Sequence, residues 1–100
     1  MIDVTHFTDP GCPWAYSASP ALTTLRWRFG DALRWELVTI GLAEDRALYL
    51  KRGYSPTTMA SGWRRVFARY GMPFSFTPKA DVSATSPGCR AIVATRLDSP

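Results

Sequence analysis

At 100 residues, with 46% apolar and 20% charged side chains, the chain has the composition of one globular domain or part of one, which excludes an intrinsically disordered protein. Twelve Lys and Arg against eight Asp and Glu give a net charge of +4, carried by arginine because Lys51 and Lys79 are the only lysines; it reads as a basic surface, with no nucleic acid as partner. Two cysteines are too few for a disulfide scaffold and no stretch could span a membrane. Asp3 and His6 interrupt any leader-like run, so the expectation is a free thiol in a reducing cytoplasm.

Residues 2–8 alternate as a strand, with Ile2, Val4 and His6 on one face and Thr5 and Phe7 on the other, and the expectation is an interior strand. His6, the only histidine, reads as structural rather than as a base. Asp9-Pro10-Gly11 is turn chemistry: the aspartate can accept from nearby N–H groups and the glycine permits unusual dihedrals. Pro13 suits a first helical turn, so Cys12 stands where a helix begins. The spacing of Ala18, Leu22, Leu25 and Phe29 predicts a helix over 14–29 facing the sheet, kinked near Tyr16 and Ser17 by Pro20 and ended by Gly30. Alternation over 33–40 predicts a second strand with a buried end. Strand, helix and strand make a parallel βαβ unit with a right-handed crossover, and ligands of open parallel sheets bind beyond the carboxyl ends of the strands, where Cys12 lies.

After Gly41 the pattern becomes helical. Residues 44–51 form a short helix, and Ser55-Pro56 starts a longer one with Ser55 as N-cap. Trp63, Val66, Phe67 and Tyr70 are its apolar stripe, and Arg64, Arg65 and Arg69 read as a solvated face. The stretch 74–82 is loop-like, and Thr85-Ser86-Pro87 opens a last helix through Leu97 behind a hydroxyl cap.

The candidate reactive group is Cys12. N–H groups at a helix start lack intrahelical partners and carry partial positive charge, which favours the thiolate, the reactive form of cysteine. Cys89, far along the chain on the last predicted helix, reads as a buried structural thiol rather than a resolving one. Trp14, at the exposed helix start, can stack on a substrate or pack; Tyr16 can do the same or lie beneath the helix. No metal-ligand cluster, phosphate-binding glycine loop or hydrolase triad is present.

The stretch Asp9-Pro10-Gly11-Cys12-Pro13-Trp14-Ala15-Tyr16 resembles the active-site loop of the DsbA-like branch of the thioredoxin superfamily, which includes FrnE-type oxidoreductases, 2-hydroxychromene-2-carboxylate isomerases and kappa-class glutathione transferases. In the oxidoreductases that loop reads Asp-x-x-Cys-Pro-Trp-Cys-Tyr; Asp9, Cys12, Pro13, Trp14 and Tyr16 match, while Ala15 stands where the second, resolving cysteine would be. Gly71-Met72-Pro73-Phe74 and the segment from Ser86 to Ala91 resemble pieces of the helical subdomain that the family inserts after its second strand.

The resemblance implies an α/β chain with an incomplete thioredoxin-like fold. Residues 1–42 would be the βαβ unit with the active-site loop, and 43–100 part of the helical insertion. Two further strands and a proline loop facing the cysteine would be absent, leaving an open sheet edge prone to self-association. The implied activity is thiol-disulfide exchange through Cys12 as catalytic residue, with Pro13, Trp14 and Tyr16 towards the substrate and Asp9 and Gly11 structuring the loop. The partner would be a small thiol or a protein thiol or disulfide. No cofactor is bound and no metal is needed; glutathione is the co-substrate that would replace a resolving cysteine. A glutathione-dependent isomerase or transferase, and a noncatalytic remnant, are the other readings.

Overall fold

The computed structural model describes residues 1–99. The elements run β1 (Ile2–Thr8), α1 (Pro13–Ser17), α2 (Ser19–Phe29), a 3-10 turn (Gly30–Ala32), β2 (Leu33–Thr39), α3 (Arg46–Lys51), α4 (Pro56–Tyr70) and α5 (Ser86–Asp98). The architecture is mixed α/β around a two-stranded parallel sheet. The strands pair in register from Ile2 opposite Leu33 to Thr8 opposite Thr39, and the Ile40 N–H donates to the Thr8 carbonyl at 2.9 Å beyond the ladder. Register puts Val4, His6, Trp35 and Leu37 on one half-buried face, and the Arg26 guanidinium of α2 lies 4.6 Å above the Trp35 ring there. The opposite face is wet: Arg34 pairs with Asp3 at 2.7 Å, and Phe7 is 65% exposed.

Four expectations need correction. Among the described residues β1 pairs with β2 alone, so it is not an interior strand. The helix predicted over 14–29 is two helices. Pro20 has no N–H to give the Tyr16 carbonyl and its ring crowds that turn, so the helix divides at Ala18, next to the kink expected around Tyr16 and Ser17, while Ala18 still donates to the Trp14 carbonyl at 3.0 Å and accepts from the Leu22 N–H at 3.1 Å. No residue of α2 is buried, and Leu25 and Phe29 are 41% and 47% exposed, because two strands are too narrow a floor for a three-turn apolar stripe. Ile40, at the strand end expected to be buried, is exposed.

The best-packed core lies beyond the sheet instead. Ala43, Tyr49 and Val82 are buried together, with Leu48 and Met59 against them, between α3, α4 and the loop leading into α5. α3 is capped by Asp45, whose carboxylate accepts from the Leu48 N–H, and Arg46 pairs with Asp81 to hold that loop on. On α4, Val66 and Ala60 are buried; Phe67 packs edge-on to Phe76 at 5.4 Å. Arg64 and Arg69 are not merely solvated, since they lie over the Phe76 and Tyr70 rings. Gly71 ends α4 at φ +78°, a backbone region that needs glycine.

Ser55 opens α4 with a reciprocal capping box. Its hydroxyl accepts from the Thr58 N–H at 3.2 Å, and the Thr58 hydroxyl accepts from the Ser55 N–H at 2.8 Å. Ser55→Ala should therefore cost about 0.5–2 kcal/mol. Thermal melts should show Tm falling by roughly 4–8 °C per kcal/mol; an unchanged Tm would mean that the cap is dispensable.

Candidate active site

The loop between β1 and α1 is built on one carboxylate. Asp9 is 2% exposed. Its Oδ1 accepts from the Gly11 N–H at 2.7 Å and its Oδ2 from the Leu42 N–H at 2.8 Å, and the Cys89 thiol donates to Oδ2 at 3.6 Å. The Cys12 N–H closes the turn on the Asp9 carbonyl at 3.1 Å. Burial by itself pushes the Asp9 carboxyl up, but the hydrogen bonds from Leu42 and Gly11, with Thr85 and Cys89 after them, outweigh it and hold the group below the ordinary aspartate value. Asp9 is thus a buried anion that ties the loop before α1 to Leu42, beyond β2, and to α5.

Thr85 completes the knot. Its hydroxyl accepts from the Ala43 N–H at 3.0 Å and donates to the Ala43 carbonyl at 3.3 Å, so it does not cap α5. Gly11 is required here by space rather than by unusual dihedrals: a Cβ at Gly11 would stand 2.7 Å from the Thr85 methyl.

Cys12 is the N-cap of α1, held extended at φ −86°, ψ 115° as a residue before proline must be, and its thiol is free and half-buried. Its carbonyl accepts from the Tyr16 N–H at 3.1 Å, opening the helix. α1 is only five residues long before the division at Ala18, so the field at Cys12 comes from its local N–H groups more than from a long dipole.

Cys12, Pro13 and Trp14 line a cavity of about 310 Å³. Its other wall comes from α3 and α4, with Tyr49, Arg52 and Trp63 among the lining groups. Tyr49 is buried and edge-on to Tyr54 at 5.4 Å. Burial pushes its hydroxyl up, and the charge of Asp9, then Tyr54 and Cys12, push the same way against Arg52, so it stays an O–H donor through neutral pH. A second cavity of about 200 Å³ adjoins the first across Gly11, Tyr49 and Met59.

Trp14 is 54% exposed and edge-on to Tyr70 at 5.7 Å. Tyr16 does not line the cavity; its hydroxyl donates to the Pro73 carbonyl at 2.8 Å and its ring meets Phe74 edge-on, so it straps the loop after α4 onto α1. The His6 ring packs against Trp35 on the sheet face at 6.4 Å. Cys89 is buried beneath Asp9, which its distance along the chain did not suggest. Among the described residues no cluster of three or more His, Cys, Asp or Glu could hold a metal, and no helix is long and apolar enough to cross a membrane.

No model of a known protein family matches the chain, and no curated protein matches it. A solved structure does: "Crystal structure of a putative protein disulfide isomerase from Nitrosomonas europaea", at a TM-score of 0.74 and 24% identity over 98% of this chain. The fold is thioredoxin-like. The chain spans 47% of that structure's chain, so the likeness concerns under half of the larger molecule. Within the thioredoxin-like fold, Cys12 sits after the first strand, at the carboxyl end of the sheet, as the βαβ argument requires.

Leu42, Tyr49 and Arg52 escaped the sequence reading, and Thr85 was read only as the cap of the last helix, which it does not form. Leu42 and Thr85 act through backbone groups or a single hydroxyl across 33 and 42 residues of chain, and neither leaves a local pattern. Tyr49 and Arg52 lie three apart on one helical face, a spacing that is visible but common.

Proposed function

We propose that the chain carries out thiol-disulfide exchange through Cys12, as a DsbA-like oxidoreductase whose mixed disulfide is resolved by glutathione. The observation that carries this reading is the half-buried free thiol lining a cavity, on a loop that Asp9 ties to Gly11 and Leu42 by hydrogen bonds. In the first step the Cys12 thiolate attacks one sulfur of a disulfide R–S–S–R. The Cys12–S–S–R bond forms, the old S–S bond breaks, and RS⁻ leaves and takes a proton. Ala15 has no thiol to attack next, so a glutathione thiolate attacks the R sulfur, giving the glutathione–R disulfide and returning Cys12 as thiolate. Each exchange moves two electrons between sulfurs and needs no other oxidant. Tyr49 can donate its O–H towards a group in the cavity, while Pro13 and Trp14 shape the approach.

Intact-mass analysis after incubation with glutathione disulfide at neutral pH tests this. One glutathione adduct is expected on the wild type and on Cys89→Ser, and none on Cys12→Ser. No adduct on the wild type would leave a noncatalytic module. The second reading, a glutathione-dependent isomerase or transferase, draws on the same Ala15 and on the small-molecule size of the cavity. It requires turnover that survives Cys12→Ser, because a serine hydroxyl can orient glutathione without exchanging electrons.

A further inference from the structure

The cavity beside Cys12 has a composition more specific than thiol exchange requires. Its walls carry four aromatic rings, Trp14, Tyr49, Tyr54 and Trp63. Arg52 is the single charged group lining it among the described residues, and no carboxylate lines it. Arg52 ends α3, its backbone N–H bonded to the Leu48 and Tyr49 carbonyls, which fixes where its side chain starts. Among the described residues its guanidinium is in no ion pair, whereas Arg34 and Arg46 both are. At about 310 Å³ the cavity is at the small end of small-molecule sites and is walled by helices on one side and the active loop on the other.

We infer that this cavity selects small thiols and disulfides whose sulfur is carried on an aromatic body bearing a carboxylate, with Arg52 as the carboxylate's partner; the inference rests on Cys12 being the exchanging thiol. The rings would take the aromatic body edge-on or stacked, and the guanidinium would take the carboxylate in a two-pronged pair. The ligand is thereby oriented with its sulfur towards Cys12, so Arg52 is a positioning residue and not a catalytic one.

Two aryl disulfides separate charge recognition from simple reactivity: dithiobis-nitrobenzoate, which carries carboxylates, and dithiodipyridine, which is uncharged at neutral pH. Second-order rate constants for labelling Cys12 in the full chain are measured with each and divided by those of a free small thiol. The carboxylate reagent should be favoured in the wild type, and Arg52→Gln should lower its rate relative to that of the uncharged reagent by roughly tenfold. Arg52→Lys should restore part of the loss, and added salt should slow only the carboxylate reagent in the wild type. Salt dependence in the wild type keeps the test alive should the Arg52 variant fold poorly. Equal effects of Arg52→Gln on both reagents, or no effect of either salt or substitution, would overturn the inference and leave thiol exchange standing. If neither reagent labels Cys12, thiol exchange itself falls, and this inference with it.

Discussion

Asp9→Ala is expected to cost more stability than any other single substitution in the loop. The carboxylate holds the Gly11 and Leu42 N–H groups and faces the Cys89 thiol from a site 2% exposed. Removing it orphans two partly buried donors at about 1–3 kcal/mol each. The sum is a sizeable share of the roughly 5–15 kcal/mol that ordinary domains possess. It also cuts the hydrogen bond that links the loop before α1 to Leu42, beyond β2. Denaturant titration should show the midpoint falling sharply, with Asp9→Asn intermediate because one carbonyl oxygen remains. A loss below about 1 kcal/mol for Asp9→Ala would mean that the knot is not what holds the loop.

The same carboxylate sets the response to acid. Its folded-state value lies below the ordinary one, so the ionised form is the one the fold prefers. The stabilisation is therefore complete above about pH 4 and lost as the pH falls through the folded value. Melts from neutral pH downwards should show Tm dropping over that window. In Asp9→Asn the drop should be visibly shallower; an identical acid profile in that variant would assign the response to other carboxylates.

Produced as the 100-residue chain, the protein should associate with itself as concentration rises. We propose that the open side of β1 is the surface involved. The Thr8 carbonyl points to β2, so by alternation the backbone polar groups of Asp3, Thr5 and Phe7 point to the side where no described strand pairs. Ile2 and Phe7, both close to two-thirds exposed, add apolar surface along that strand. Only six apolar residues among those described are buried, so the isolated chain has little core with which to resist association. Sedimentation equilibrium should give a mass that climbs with concentration, and Phe7→Lys should return it towards the monomer. A concentration-independent monomer with a cooperative melt would sink the proposal.

How far the sequence could be read followed from the range of the interactions involved. Residues 2–8 and 33–40 were legible as strands, the second one residue too long, because alternation is a property of neighbours; so were Ser55 as a cap and Pro20 as an interruption. The interruption was expected as a kink around Tyr16 and Ser17, and the chain makes it a division into two helices next to them, at Ala18. The burial of α2 was overestimated because the stripe on a helix says nothing about the width of the surface beneath it. Cys12 at the start of a helix was visible in the order of turn residues, but its cavity was not, because the facing wall comes from α3 and α4.

From its residues alone this protein had a strand, a turn and a cysteine at the mouth of a helix, since each rests on contacts within a few positions. Tertiary structure alone decided that Asp9 would be a buried anion, that Cys89 and Thr85 would lie against the active loop, and that Arg52 would face the same space as the thiol. Those relations join groups from about 40 to 80 residues apart. They arise only when chain entropy has been overcome by packing, and no local pattern records them.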